Sequence, residues 1–356
     1  VYTNLYDPII QRITYEEAPE EGLAEFPQWK VDSFNELIDE GGAFLEVAAL
    51  DPDLLKGVDS ERIAISRKAS GKAMQRFQEA QTNGAVAWCI LSVPSKNWAA
   101  KIFPNVDDDK QIDALWEQIF YTTRVDQEDP VAAWEKHIET LSAKADYLNE
   151  KGFKALHYKA EGTDLTIRLA DDHVWKAASF TTKRDTRFLP NVPTEEVFTM
   201  PHKDGVDGTV SSTKPLNYGG SLIENFTLTF KDGKVVDFKA EKGEDSLKSL
   251  LDTDKGAKRL GEVALVPHDS PISNSGLIFF NTLFDENASC HIALGRALSL
   301  NMKDAAELGD EARAERGFNS SITHVDFMIG SAELDIDGET PDGERIPVFR
   351  KGNWAF

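Results

Sequence analysis

Two cysteines in 356 residues are too few for a disulfide framework, which excludes the small stapled scaffolds of secreted proteins. Cys89 and Cys290 both sit in apolar stretches. Buried thiols suit a reducing compartment, so the expected location is the cytoplasm. No apolar run approaches the ~18 residues that a membrane-spanning helix needs, and no signal-peptide pattern is visible. Basic residues are in deficit: 39 Lys and Arg face 61 Asp and Glu, for a net charge of −22. Nucleic acid and anionic membranes are therefore not expected partners, because both call for a basic surface. Several catalytic signatures are also missing. There is no Gly-x-Ser-x-Gly elbow, no P-loop, no Rossmann glycine fingerprint and no His-Glu-x-x-His zinc motif. A single-zinc endopeptidase mechanism is not expected.

What remains is an ordinary globular composition, 41% hydrophobic and 28% charged, which argues against disorder. The length fits two domains. Residues 59–83 read as a helix ending at Gly84. Residues 85–93, Ala-Val-Ala-Trp-Cys-Ile-Leu-Ser-Val, read as a strand covered on both faces. A second helix falls near 109–121. A third starts at the cap Asp129 and Pro130, carries the stripe Val131, Trp134, Ile138, Leu141, Ala145 and Leu148, and closes at Gly152. This alternation predicts an open, mostly parallel α/β sheet. After Gly152 the pattern changes to hairpins, one over 153–170 and one over 226–238 turning at Asp232-Gly233. A helix is expected near 244–259, with turns at Asp337-Gly338 and Asp342-Gly343. The expected division is an α/β domain over 1–150 and an α+β catalytic domain over 151–356 with a large, mostly antiparallel sheet.

Five side chains in the second half could bind metal. His324 and Asp326 are two apart, so a strand would project both on one face. The same spacing also occurs in ordinary surface pairs. Glu262 opens the apolar run Val-Ala-Leu-Val, where a carboxylate is costly unless paired or bound to a cation. Glu196 follows Pro193 and adjoins Glu195, a pattern shared with loops and first turns of helices. His291 lies in Ser-Cys-His-Ile-Ala-Leu-Gly, where a satisfied core histidine is the alternative. Cys290 beside it reads as a buried thiol. Three carboxylates and two imidazoles are a mixture that suits a pair of divalent cations.

The contexts of these residues resemble the metallo-aminopeptidases of the aminopeptidase T / aminopeptidase S type. The motifs are Asn-Val-Pro-Thr-Glu-Glu-Val-Phe (191–198), Gly-Glu-Val-Ala-Leu-Val (261–266), the stretch 285–297 and His-Val-Asp-Phe-Met-Ile-Gly-Ser (324–331). The likeness extends to 91–104, 162–169, 221–262 and the close at 348–356, so it covers nearly the whole chain. It implies a two-metal exopeptidase (zinc, cobalt or manganese) that uses a metal-bridging water on short peptides with a free N-terminus. It implies the ligands Glu196, Glu262, His291, His324 and Asp326, with Glu262 as the bridge. Glu262, and after it Glu196, is the expected base-assisting carboxylate. Glu195 is then expected to face solvent, and Asp285 and Glu286 to orient His291. A homodimer is implied, as is a further segment ahead of Val1, where this chain opens without Met.

One position departs from the pattern. The family carries a tyrosine seven residues past the first histidine, and this chain has Leu298 there. His202 or Lys203 is the expected stand-in, with a surface loop as the alternative. The departure also admits a rival reading, a catalytically weakened peptide-binding protein that kept its metal site.

Overall fold

The fold is taken from a computed structural model that describes residues 2–218 and 221–356. Val1, from which the expected first domain is counted, lies outside the described residues. Among the described residues there are four sheets, three large ones and a two-stranded ribbon of Phe180–Thr181 with Arg187–Phe188. The first is parallel and three-stranded. Ala43–Ala48 and Ala87–Ser92 lie side by side, and Asn191–Val192 returns from much later in the chain to pair with Ile90 and Leu91. The middle strand is only half-buried along most of its length. The double coverage expected from its apolar run is therefore incomplete.

The expected helix over 59–83 is two helices, Ser60–Ala73 and Gln75–Thr82, broken at Met74. Gly71 lowers helix propensity just ahead of the break. The helix Gln111–Thr122 follows. The long helix Pro130–Lys151 begins where expected, with the Asp129 carboxylate accepting from Ala132 N, and ends at Gly152. Ile138, Leu141, Ala145 and Leu148 are buried in the main core and Trp134 packs against it. Val131, the first member of the expected stripe, is 73% exposed, because it stands in the first turn, ahead of the packed surface.

The largest sheet has nine strands, all antiparallel to their neighbours. It contains both expected hairpins, Ala155–Ala160 with Thr163–Leu169 and Ser221–Lys231 with Lys234–Lys242. The helix expected near 244–259 is shorter, Glu244–Leu251. Asp337-Gly338 is not a turn but lies inside the strand Asp335–Glu339. A Cβ on Gly338 would come within 2.6 Å of the Phe153 ring, so this glycine serves close packing instead. Asp342-Gly343 does turn.

The third sheet has five antiparallel strands in the order His324–Met328, His291–Gly295, Leu260–Leu265, Val197–Thr199 and Lys176–Ala177. Val197, Val263, Leu265, Ile292, Leu294 and Phe327 point into the main core. Alternation then sends their neighbours to the opposite face.

Candidate metal centre

That opposite face gathers all five expected ligands. Glu262, Ala293 and Asp326 form one row across three strands. His291 stands opposite Ala264 and His324 opposite Gly295. A bulge between Leu260 and Glu262 re-aims the carboxylate. Glu196, two residues before the cavity-lining Phe198, shares that residue's side. The small side chains of Ala293 and Gly295 leave room between the acids and the imidazoles. Gly295 also has a backbone reason: at φ 106°, a Cβ would come within 2.2 Å of the Thr323 carbonyl oxygen.

The contacts are close. His291 Nε2 is 3.1 Å from Glu196 Oε2 and 3.7 Å from Glu262 Oε1. His324 Nε2 is 3.5 Å from both Glu262 Oε2 and Asp326 Oδ1. Two triads result, Glu196–Glu262–His291 and Glu262–His324–Asp326, each with ligand atoms within 4.8 Å of one another. Glu262 belongs to both.

Each imidazole is held from behind. His291 Nδ1 lies 3.2 Å from the Ser289 carbonyl oxygen and His324 Nδ1 lies 2.7 Å from that of Arg296. A carbonyl only accepts, so Nδ1 carries the proton and Nε2 faces the site, as a metal ligand requires. The sequence expects Asp285 and Glu286 to orient His291, and the Ser289 carbonyl does so instead. The Asp285 carboxylate is occupied with the N–H groups of Phe279 and Asn281 at 2.8 and 3.0 Å, and burial raises its pKa to about 6.

The site's electrostatics are those of groups crowded together away from water. Burial, then the charges of Glu262 and Asp326, raises Glu196 against the hydrogen bond from His291. Burial works against both imidazolium forms, but the carboxylates outweigh it and hold His291 and His324 well above their ordinary values. Burial also works to raise Asp326, and the charge of His324 keeps it below the usual range. Asp326 Oδ1 is buried with no hydrogen-bond partner among the described residues. A divalent cation would satisfy that orphaned oxygen and replace the imidazole protons, so the donor set fits metal.

Three placements escape a sequence reading: Glu286 and Arg296 in the cavity wall and Glu195 in a buried layer. Glu286 lines the same cavity as the triads. Burial, then the charges of Asp326 and Glu196, pushes its carboxyl well up. Glu195, expected to face solvent, is 3% exposed. Arg124 donates to both of its carboxylate oxygens at 2.6 and 3.0 Å, and His137 Nε2 stands 3.5 Å away. The correction has a physical cause: a side chain pointing away from the site here enters another packed layer, where only an ion pair makes a carboxylate tolerable. Arg296 also lines the cavity.

His202 and Lys203 are not in the cavity wall among the described residues. The His202 ring packs over Gly317, its Nδ1 accepts from Asp204 N, and Lys203 pairs with Asp204. Neither stands in for the phenol missing at Leu298, which does line the cavity. Cys290 points to the apolar side, and burial pushes its thiol up to about 12. The cavity holds about 830 Å³, and Trp88, Phe180, Phe188 and Phe198 form an aromatic wall.

Comparison with known proteins places this geometry. The protein-family model described as thermophilic metalloprotease (M29) matches residues 1–354. Aminopeptidase 2 of Geobacillus stearothermophilus is 54% identical over 356 residues, covering 100% of this chain and 86% of that protein. Aminopeptidase AmpS of Bacillus subtilis is 52% identical, covering 100% and 87%. The solved structure of wild-type AmpT from Thermus thermophilus superposes with a TM-score of 0.92 at 44% identity, covering 99% of this chain and 86% of that one.

Proposed function

The chain belongs to the thermophilic metalloprotease (M29) family and is a metallo-aminopeptidase, and on that premise we propose that it removes N-terminal residues from short peptides with the help of two divalent metal ions (zinc, cobalt or manganese). Glu196, Glu262 and His291 would hold one ion, and Glu262, His324 and Asp326 the other. The observation that carries this reading is the position of Glu262. Its two oxygens lie toward different imidazoles, at 3.7 Å from His291 and 3.5 Å from His324, as a bridging carboxylate's would. When bound, such a pair of ions polarises a peptide carbonyl and lowers the pKa of a shared water.

The remaining tasks fall to side chains. The sequence expects Glu262, then Glu196, to assist in proton removal. As ligands both have their oxygens committed, so we assign proton transfer to Glu286. Glu286 lines the cavity and belongs to neither triad, so its carboxylate is free to accept a proton from the attacking water and pass it to the leaving amine. The acidic cavity attracts a free α-amine, which sets cleavage at the first bond. The aromatic wall offers a surface for an apolar first side chain. Gln78, Gln81, Trp88 and Ile90 belong to the cavity wall, so the proposed domain before residue 150 shapes the substrate space. A homodimer in the cytoplasm completes the reading.

The test is elemental analysis of fully active protein, together with turnover of aminoacyl-anilides and their N-blocked analogues. Two metal equivalents per chain and cleavage of the free-amine substrates alone are expected. Full activity with one equivalent, or equal cleavage of blocked substrates, would overturn the proposal.

A further inference from the structure

Among the described residues the Arg296 guanidinium has no counter-ion. It follows the strand His291–Gly295, and its peptide carbonyl is the acceptor that fixes His324. Ala297 is buried while Arg296 and Leu298 both line the cavity, as alternate residues of an extended stretch do. The side chain is half-buried, and burial pulls its pKa down. Glu196, Glu262, Glu286 and Asp326 share the cavity, yet among the described residues none of them forms an ion pair with Arg296.

A half-buried cation left unpaired is a standing cost, and a ligand that brings its own anion removes it. The planar fork of a guanidinium matches a carboxylate bidentately. Gly295 pairs with His324 on the neighbouring strand, so Arg296 starts beside a ligand of the second triad. An extended dipeptide spans about 7 Å at ~3.4 Å per residue, and Arg296 and the acidic cluster line the same cavity. A developing oxyanion is the other candidate occupant, and it differs in its signature: it would lower kcat on acid and amide substrates alike when the guanidinium is removed.

We propose that Arg296 binds the C-terminal carboxylate of a short peptide whose amine end lies at the acidic cluster, so that the enzyme selects dipeptides with a free carboxylate. The proposal rests on the aminopeptidase reading and deepens it. Arg296 is then a specificity-determining residue, and Leu298 beside it contributes apolar surface.

The experiment compares leucyl-glycine with leucyl-glycine amide on the metal-loaded enzyme, for wild type, Arg296→Gln and Arg296→Lys. Wild type should favour the free acid by roughly tenfold or more in kcat/KM, expressed in KM, the scale of one charge-assisted hydrogen-bonded pair. Arg296→Gln should raise KM for the acid alone and erase the preference. Arg296→Lys should keep part of it. A second readout needs no turnover: the cleavage-resistant D-leucyl-glycine should raise the melting temperature more than its amide does, and Arg296→Gln should abolish that difference. Equal use of acid and amide by wild type, or a fall in kcat on both substrates in Arg296→Gln, would overturn the proposal. Failure of the underlying reading looks different, because no amine-dependent hydrolysis would occur while the melting comparison still reports on the guanidinium.

Discussion

The strand Leu260–Leu265 is buried at every position, whereas the strand Ala43–Ala48 is exposed at four of its six. The first carries Glu262 in the middle of a five-stranded sheet and the second is an edge of a three-stranded one. The contrast extends to their surroundings. Around Glu262 the apolar side of the sheet merges with the main core. Near the start of the chain, Ile9, Ile10, Ile13, Leu45 and Val47 are all exposed. A metal site needs its side chains held closely in place, and Glu262 and His291 stand on strands buried at every position. The early part of the chain contributes Gln78, Gln81, Trp88 and Ile90 to the cavity wall and no member of either triad, a role that tolerates looser packing.

The sharpest way to test that contrast is Glu262→Gln. The change keeps shape and removes the charge common to both triads. Turnover should fall by about 10³-fold or more, roughly 4 kcal/mol of transition-state stabilisation. The melting temperature of the metal-free protein should hold or rise, since one of several crowded carboxylates is gone. Activity above half of wild type under metal-replete conditions would remove Glu262 from the centre.

Next in size is Arg124→Met. Arg124 and Glu195 are 16% and 4% exposed at their side chains, and the pair anchors the segment that ends in Glu196. Removing one partner leaves a buried charge alone, at a cost of about 3–5 kcal/mol. Urea unfolding measures it. Glu195→Met combined with Arg124→Met should recover most of the loss, because both charges then leave together. If the single variant is as stable as wild type, the early part of the chain and the segment that carries Glu196 are not coupled through this pair.

How far the sequence carries can be judged from the same residues. His324 and Asp326 announce a shared face by their spacing, and Glu262 is conspicuous as an acid in an apolar strand. The antiparallel character of the large sheet follows from alternation and the Asp232-Gly233 turn. The Arg124–Glu195 pair is different: it joins residues 71 apart, and no local pattern encodes it. Glu286 and Arg296 lie within a few residues of His291, yet their facing the cavity depends on a short 3₁₀ turn and on the exit of a strand. Asp337-Gly338 misleads for a related reason. The dipeptide favours a turn, and packing of Phe153 against the glycine overrides it.

A smaller effect concerns pH. His137 Nε2 lies 2.8 Å from the Thr194 carbonyl oxygen and its Nδ1 lies 3.2 Å from Arg124. The neutral ring satisfies both contacts, donating to one and accepting from the other. Burial lowers its pKa from 6.5, against the pull of Glu195 and with help from Arg124. The unfolded chain therefore takes up this proton at higher pH than the folded one. The stabilisation is complete above about 6.5 and is lost as pH falls through the folded value. Melting temperatures between pH 7.5 and 5 should fall less steeply in His137→Gln than in wild type. Parallel profiles would show that the ring is free to protonate in the folded protein.

The smallest effect is expected at Leu45→Thr. Leu45 is 66% exposed on the edge strand, so truncating it returns little apolar surface to water. Threonine also keeps a side chain suited to a strand. The change should alter unfolding free energy by less than about 0.5 kcal/mol, the range of surface substitutions. Leu294→Ala, in the strand of His291 and fully buried, should cost about 2–5 kcal/mol by leaving a cavity. Measured together by urea unfolding, the two variants put a number on the difference between the sheet of the triads and the early edge strand. A loss of about 2 kcal/mol or more at Leu45 would mean that its face is covered in solution. The early strand would then be a packed element like Leu260–Leu265, and the contrast between the two regions would fail.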